Sequence, residues 1–422
     1  TGKTDTVEVQ LEVPRRMAQG AIALTGARII TMNGDRVIER GDIVIRDGRI
    51  VDLAVSGSIT IPADAERVDV SGSTIIPGLV DTHKHTSREA GGVLSQRSWE
   101  LAANLAYGIT TGLEPSGWNE AIFTMAEGVE AGVRTGTRMF STGSSISGGA
   151  GTRRGPVDSP EDAQNEVNRM VSYGAKSIKQ YWQPRRDQRQ WVVESARESE
   201  VMVTSEGDTD HLSAISLAMD GHTAIEHPIL NLPLYSDVAR FLGQANFFYS
   251  ATLVVGGAGP WGEEYFYQES DIWKDEKLQH FTPWRWLEPH TRRRPLRPVS
   301  DYPFVLHAQG AADVIAEGGH ATIGAHGQTQ GIDSHFELWM YESAMSPMEA
   351  LRTATTHAAE MIGVLDDIGT LESGKLADLL VLNSNPLENI RATTDIRFVM
   401  KAGILYDSQT LDEIWPFPTS YG

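Results

Sequence analysis

Near both of its ends the chain alternates apolar and polar residues at short range, and a different pattern lies between. Residues 21–76 alternate Val and Ile with polar residues, and the steps NGD and RDGR within them are typical of hairpin turns. Residues 369–409 show the same pattern in GTLESGKLADLLVLN and IRFVMKAGILYD. We therefore expect one small sheet domain that contains strands from both termini.

The middle of the chain alternates strand-like runs with helical ones. The strand-like runs are TIIPGLVDTHKH, GITTGLEP, TRMFSTG, AKSIKQYW, VMVTSEG, TAIEHP, NFFYSATLVV and ATIGAHG. Helical patterns are predicted near residues 119–132, 160–173, 186–199, 210–220, 235–243 and 307–318. Eight β/α units are the number in a TIM barrel, whose functional residues lie at the C-terminal ends of the strands.

The predicted fold is therefore α/β, a (β/α)8 TIM barrel with a small composite β-sandwich domain from both termini. Residues 1–76 form the N-terminal part of the sandwich, with a linker-like stretch at 1–20. Residues 77–364 form the barrel, and residues 365–422 form the C-terminal part of the sandwich. A long insert at about 256–305 follows the seventh barrel strand and is predicted to be irregular.

Composition limits the partners and the chemistry. The chain has 422 residues and a formal charge of −20, which argues against nucleic acid or an anionic membrane as partner. It has no cysteine, so disulfides are excluded and a metal site would use His, carboxylate or modified Lys. The chain contains no run of about 18 apolar residues, so no transmembrane helix is predicted.

Two histidines end the first barrel strand. In a strand, residues i and i+2 point to one face, so His83 and His85 project together at the mouth of the predicted barrel. A His-x-His pair alone is a weak signal that core packing can explain. Its position at the start of a β/α series indicates two ligands of one metal.

The motifs now resemble a known family. IIPGLVDTHKHT, TAIEHP, SPMEALRTATTHAAEMIGVLDDIGTLESGKLADLLVLNSNPLENI and VMKAGILYD are similar to the amidohydrolase superfamily of metal-dependent (β/α)8 hydrolases, over nearly the whole chain from about residue 21. The chain most resembles the imidazolonepropionase and prolidase-like branch, especially members with an N-terminal TolB-like β-propeller. That resemblance implies a small-molecule substrate, a propeller preceding residues 1–20, and export to the periplasm or beyond.

The resemblance also implies a set of metal ligands. They are His83 and His85 on strand 1, Lys179 on strand 4, Glu206 on strand 5, His227 on strand 6 and His326 on strand 8. Lys179 would be carboxylated and would bridge two divalent cations, expected to be zinc. The family usually has histidine on strand 5 and aspartate on strand 8, so the two residue types have exchanged strands here. The alternative for Lys179 is an ordinary surface lysine. The alternative for His227 is a buried histidine with a structural role.

The implied reaction is hydrolysis of an amide or peptide-like C–N bond by a metal-bound hydroxide. Because the strand-8 aspartate is missing, His326 is the first choice for the general base and Glu206 is the second. Arg185, Arg186 and His335 are candidates for holding the substrate, although a solvated surface equally explains the two arginines.

Three alternatives stay open at the level of the sequence. The same binuclear site could serve a lactonase, esterase or phosphotriesterase, because barrel and metal motifs do not separate these chemistries. A metal-free scaffold that has lost activity is the third reading. Aromatic residues at 260–273 could form a lid over the pocket or a contact in a homo-oligomer.

Overall fold

The structure is a computed structural model, and it describes residues 12–86, 94–147, 157–181, 185–207, 209–257, 259–292 and 294–422. The strands are β1 (Ala21–Ile30), β2 (Val37–Arg46), β3 (Arg49–Val55), β4 (Glu66–Asp69), β5 (Thr74–Pro77), β6 (Leu79–Asp81), β7 (Ile109–Glu114), β8 (Arg138–Ser141), β9 (Ser177–Gln180), β10 (Met202–Glu206), β11 (Ala224–Glu226), β12 (Phe248–Ser250), β13 (His320–Thr322), β14 (Leu379–Leu382), β15 (Ile396–Lys401), β16 (Ile404–Asp407) and β17 (Glu413–Trp415). The helices are α1 (Trp99–Ala106), α2 (Asn119–Glu130), α3 (Pro160–Ser172), α4 (Arg186–Glu198), α5 (His211–Met219), α6 (Ser236–Gln244), α7 (Gly262–Glu269), α8 (Glu276–Phe281), α9 (Trp284–Thr291), α10 (Phe304–Ala316), α11 (Ile332–Tyr341), α12 (Pro347–Thr353) and α13 (Thr356–Met361).

One sheet contains strands from both ends of the chain. Its nine strands follow the order β17-β16-β15-β14-β5-β1-β2-β3, with β4 paired to β1. The strands β5 and β14 join the two halves in an antiparallel pair in which Ile76 faces Leu380. Both residues are fully buried, because these central strands consist almost entirely of apolar residues. Strands from both ends of the chain thus belong to one sheet.

The middle of the chain forms two parallel sheets. One has the order β6-β7-β8 and the other the order β13-β12-β11-β10-β9, and every pair within them is parallel. The eight predicted strand-like runs coincide with these eight strands in order, although β13 begins one residue before its run. Isolated parallel bridges, Lys84 to His326 and Ile146 to Gln180, connect the outer strands of one sheet to those of the other. The carboxyl ends of all eight strands therefore face the same side.

The predicted helices are found, but the insert is not irregular. Helices α2 to α6 and α10 lie within about two or three residues of their predicted positions. Residues 256–305 contain α7, α8 and α9, so the prediction of an irregular insert is wrong. Several aromatic residues of the insert are buried and stabilise its helices, as where Phe266 stacks on Phe336 with ring centroids 4.4 Å apart. No helix among the described residues is long and apolar enough to cross a bilayer.

Candidate metal centre

Four histidines meet at the carboxyl ends of the parallel strands. His83 and His85 follow β6, His227 follows β11 and His326 follows β13. The ring centroid of His83 lies 5.0 Å from that of His85, 4.8 Å from that of His227 and 4.9 Å from that of His326. The Nε2 atoms of His83 and His85 are 3.2 Å apart. Strand alternation placed the first two together, and the parallel sheets bring the others to them.

The backbone turns sharply where two of these histidines stand. His227 has a φ of 70° and His326 a φ of 62°, in the left-handed region that residues with a side chain seldom occupy. The amide of His326 donates to the carbonyl of His83 over 2.7 Å, which fixes this turn against the end of β6. Such backbone strain is concentrated at functional sites, where the surrounding structure must maintain it.

Lys179 and Glu206 complete the predicted set. The Lys179 amine lies 2.8 Å from Glu206 Oε2, and Glu206 Oε1 lies 3.2 Å from His227 Nε2. Lys179 is buried, while the Glu206 side chain keeps 11% of its surface exposed. The six residues that the sequence predicts as ligands therefore surround one small region.

Glu226 is a site residue that the sequence analysis missed. It precedes His227, is fully buried, and forms an ion pair with Lys179. Its carboxylate also accepts a hydrogen bond from Thr204 over 3.0 Å and lies 3.9 Å from His83 Nδ1. Alternation along a strand placed Glu226 on the face opposite His227, but the left-handed turn at His227 breaks that alternation and both side chains reach the same region.

Glu114 and Thr252 hold the two histidines that follow β6. Glu114 Oε1 lies 2.6 Å from His85 Nδ1, and Glu114 Oε2 accepts from the amide of Thr86 over 2.6 Å. Thr252 Oγ1 lies 3.1 Å from His83 Nδ1. Each ring thus has its Nδ1 engaged and its Nε2 turned towards the cluster, the arrangement in which a second hydrogen bond orients a ligating imidazole.

The charges of the site favour a bound cation. Burial lowers the pKa of His83 far below its usual range and lowers that of His227 to about 4, so both rings are neutral at pH 7. Burial disfavours ionisation of Glu206, but the charge of the Lys179 amine and its hydrogen bond outweigh burial, and the pKa of Glu206 falls below the usual value. Neutral imidazoles beside an ionised carboxylate are the ligands that zinc and similar divalent metals take.

The residues also fit a metal geometrically. His83, His227 and His326 each offer one ligand atom, and these atoms lie within 4.8 Å of one another. The Nδ1 of His227 is buried and has no hydrogen-bond partner among the described residues. A buried polar atom without a partner is costly, and a bound cation would satisfy it.

The three residues predicted to hold the substrate lie in other contacts. Arg185 pairs with Asp187, and Arg186 pairs with Asp220 at the end of α5. His335 is fully buried, with its ring nitrogens 3.0 Å from Thr393 Oγ1 and 2.8 Å from the carbonyl of Tyr107. None of these contacts involves a residue of the histidine cluster.

Comparisons with known proteins agree with this fold. The amidohydrolase family model matches residues 308–405. A segment of 72 residues is 43% identical to the 5'-deoxyadenosine deaminase of Methanothermobacter thermautotrophicus, which is 17% of this chain and only 16% of that relative. The resemblance to the amidohydrolase superfamily is therefore confirmed.

Solved structures extend the likeness over most of the chain. A Xaa-Pro dipeptidase with bound methionine matches with a TM-score of 0.70 and 21% identity, over 92% of this chain and 100% of that one. A prolidase complexed with N-methylphosphonate-L-proline matches with a TM-score of 0.72 and 22% identity, over 92% of this chain and 99% of that one. At these identities the match establishes a mixed α/β fold of the amidohydrolase type.

Proposed function

We propose that the protein is a metal-dependent hydrolase that cleaves amide or peptide-like C–N bonds in a small molecule. The observation that carries the proposal is the convergence of four histidines with Lys179 and Glu206 at the carboxyl ends of parallel strands. The similar proteins include a deaminase and a dipeptidase, and these names support a C–N bond as the target.

The proposal includes the complete barrel. The two parallel sheets together supply eight strands, and the bridges at Lys84–His326 and Ile146–Gln180 lie where the sheets would have to join. We propose that residues 77–364 form this (β/α)8 barrel and that residues 1–76 and 365–422 form the composite domain beside it. The site then lies at the end of the barrel where enzymes of this architecture bind their substrates.

His83, His85, His227 and His326, with Glu206, would hold the metal. We propose that Lys179 would be carboxylated and would help to hold two zinc ions, because its buried side chain reaches the region that the imidazoles face. A divalent cation in such a site lowers the pKa of water from about 15.7 towards 7 and polarises the carbonyl of the substrate. Glu114 and Thr252 orient His85 and His83 for this task.

The proton acceptor is assigned to Glu206 in this proposal, with His326 as a ligand. His326 belongs to the group of histidines whose ligand atoms lie within 4.8 Å of one another, and an imidazole nitrogen cannot bind metal and carry a proton at once. Glu206 is partly exposed and lies beside the cluster, with Oε1 3.2 Å from His227 Nε2. Its carboxylate would accept the proton from the attacking water and deliver it to the leaving nitrogen. This reverses the first choice made from the sequence.

The test combines metal analysis with a substrate panel. The purified full chain is analysed for metal, treated with chelator, and assayed with and without added zinc on dipeptides, N-acyl amino acids, lactones and aryl esters. We expect about two metals per chain, and hydrolysis of C–N substrates that chelator abolishes and zinc restores. His320→Ala is a matched control, because His320 lies at the other end of β13 from His326 and contacts Phe248.

The outcomes separate the alternatives. Zinc-dependent hydrolysis of lactones or esters without cleavage of C–N substrates would replace the proposed reaction class while keeping the metal centre. A chain that binds no zinc after reconstitution would be a non-catalytic scaffold, and the proposal would be wrong.

A further inference from the structure

A buried ionic cluster lies beside the histidines but faces away from them. We call Asp81, Lys84, Asp333 and Ser334 the Lys84 cluster. Lys84 is fully buried, and its amine donates to Asp333 Oδ1 and, over 3.1 Å, to Ser334 Oγ. Asp81 Oδ2 lies 3.7 Å from the same amine. Because removing charges from water is costly, an ion pair at this depth needs a reason other than stability.

The Lys84 cluster touches the backbone on both sides of the metal centre. Lys84 stands between His83 and His85 in sequence, and alternation turns its side chain to the opposite face. The Asp81 carboxylate accepts from the amide of His83 over 3.1 Å and from the amide of Ala325 over 3.3 Å. His83 is itself a predicted ligand, and Ala325 directly precedes the predicted ligand His326.

Asp333 brings the helix after β13 into the same arrangement. It lies in the first turn of α11, and its carboxylate accepts from the amide of Thr329 over 3.3 Å. The segment between β13 and α11 contains His326, and Asp81 and Asp333 hold it on either side of this residue, at the amides of Ala325 and Thr329. Lys84 is the cation that holds these two carboxylates together.

We propose that Lys84 is a positioning residue, which sets the separation of His83 and His326 by tying the end of β6 to α11 through Asp333. The inference rests on the metal centre proposed above. Lys84 acts through the backbone and touches neither metal nor substrate. Residues that orient metal ligands change metal affinity by about 10–100-fold when they are removed.

The chain offers a matched control in a second buried ion pair that lies away from the histidines. Arg138 at the start of β8 pairs with Asp378, with side-chain exposures of 5% and 2%. This pair connects the parallel strands to the sheet of the chain ends and has no contact with the histidine cluster among the described residues. Arg138→Met and Lys84→Met each break a buried ion pair, but only the second lies beside the ligands.

The experiment measures Co²⁺ binding and the visible absorption of bound Co²⁺ in the full chain, its metal removed beforehand. We expect Lys84→Met to bind Co²⁺ at least 10-fold more weakly, with a changed spectrum, and Arg138→Met to match the parent within about twofold. Asp333→Asn is the milder second variant if Lys84→Met does not fold, and the same direction of change is expected. Urea unfolding of each variant reports the loss of stability separately.

Two results would overturn the inference, and they differ from failure of the proposed function. If a folded Lys84→Met or Asp333→Asn variant bound Co²⁺ with the affinity and absorption spectrum of the parent chain, the Lys84–Asp333 ion pair would have only a structural role. Equal losses in Arg138→Met would show a general effect of destabilisation. Absence of Co²⁺ binding in the parent chain would instead refute the metal centre itself.

Discussion

The Nε2 atoms of His83 and His85 lie 3.2 Å apart, while their Nδ1 atoms are directed to Thr252 and Glu114. A carboxylate next to Nδ1 favours the proton on that nitrogen, so the Nε2 of His85 presents a lone pair. Two ring nitrogens at this distance are stabilised only if a proton or a cation lies between or beside them. The residues behind the rings therefore determine what the front of the site can bind.

The first prediction concerns Glu114. The carboxylate accepts two hydrogen bonds of 2.6 Å, from the His85 ring and from the amide of Thr86, and a glutamine amide cannot accept both. We expect Glu114→Gln to weaken zinc binding by about 10-fold or more. Calorimetric titration of the metal-free protein measures this. Glu349→Gln, which alters the capping box at the start of α12, is the control, and equal affinities in both variants would contradict the role of Glu114.

The second prediction separates the base from the ligand. Glu206→Gln should lose at least about 100-fold in kcat even when zinc saturates the variant, because an amide cannot accept the proton. His326→Asn should lose metal, because it removes one of the three closely spaced imidazoles. Metal content and kcat are measured on the same preparations. A His326→Asn variant that retains full metal but has no turnover would return the role of base to His326.

The third prediction concerns the pH dependence of stability in the metal-free protein. Burial lowers the pKa of His222, His307 and His357 to about 4 and that of His335 to about 3. Between about pH 4 and 6.5 the unfolded chain binds protons at these positions and the folded chain does not. The free energy of unfolding therefore falls as the pH is lowered through this window, and urea unfolding at several pH values measures the slope.

A single variant tests that account. Neither ring nitrogen of His307 has a hydrogen-bond partner among the described residues, so His307→Leu costs little in contacts. The substitution removes one group that binds a proton in the unfolded chain and not in the folded chain. The slope should decrease by about 1.4 kcal/mol per pH unit in this window. His280→Leu, at an exposed position near the end of α8, should leave the slope unchanged. An unchanged slope in His307→Leu would show that its ring is already charged in the folded protein.

The fourth prediction is a stabilising substitution. The Lys277 amine is buried without a hydrogen-bond partner among the described residues, 4.5 Å from the centre of the Tyr107 ring. Burial lowers its pKa to about 7, although Asp275 and Asp407 oppose the shift. The unfolded state then binds a proton that the folded state lacks between about pH 7 and 10, so this residue costs most stability near neutral pH and least near pH 10.

Lys277→Met should therefore raise the free energy of unfolding by roughly 1–3 kcal/mol at pH 7, with a smaller gain at pH 10. Methionine also keeps a favourable contact with the aromatic ring. Lys274→Met, at a side chain that is 59% exposed, should change stability little. Destabilisation by Lys277→Met at pH 7 would mean that the ring and the two aspartates hold the amine in its charged form.

The sequence predicted the parts of the fold that depend on local pattern. Strand alternation identified His83 and His85, and the series of eight strand-like runs gave β6 to β13. The helices of the insert at 256–305 were not predicted. They are short and gain their stability from burial of aromatic residues against α11. Those tertiary contacts leave no periodic signal in the chain.

In the candidate site, too, the residues that depend on tertiary structure were not predicted from the sequence. Glu226 was missed because a turn at His227, visible only in the backbone, changes which face a side chain reaches. Lys84 was missed because its partner Asp333 is 249 residues away and neither residue resembles a metal ligand motif. The N-terminal propeller and export stay predictions from the resemblance, and the substrate role of Arg185, Arg186 and His335 stays a prediction from their positions after strands 4 and 8.

The pairing of β5 with β14 has a consequence for synthesis of the protein. β5 directly precedes β6, the first of the parallel strands, yet its antiparallel partner lies about 300 residues later in the chain. Until β14 has been translated, the edge of β5 that pairs with β14 has no partner. Such an edge is prone to associate with other chains. A nascent chain arrested before Leu379 should therefore depend on chaperones, even where every residue of the metal centre has already been made.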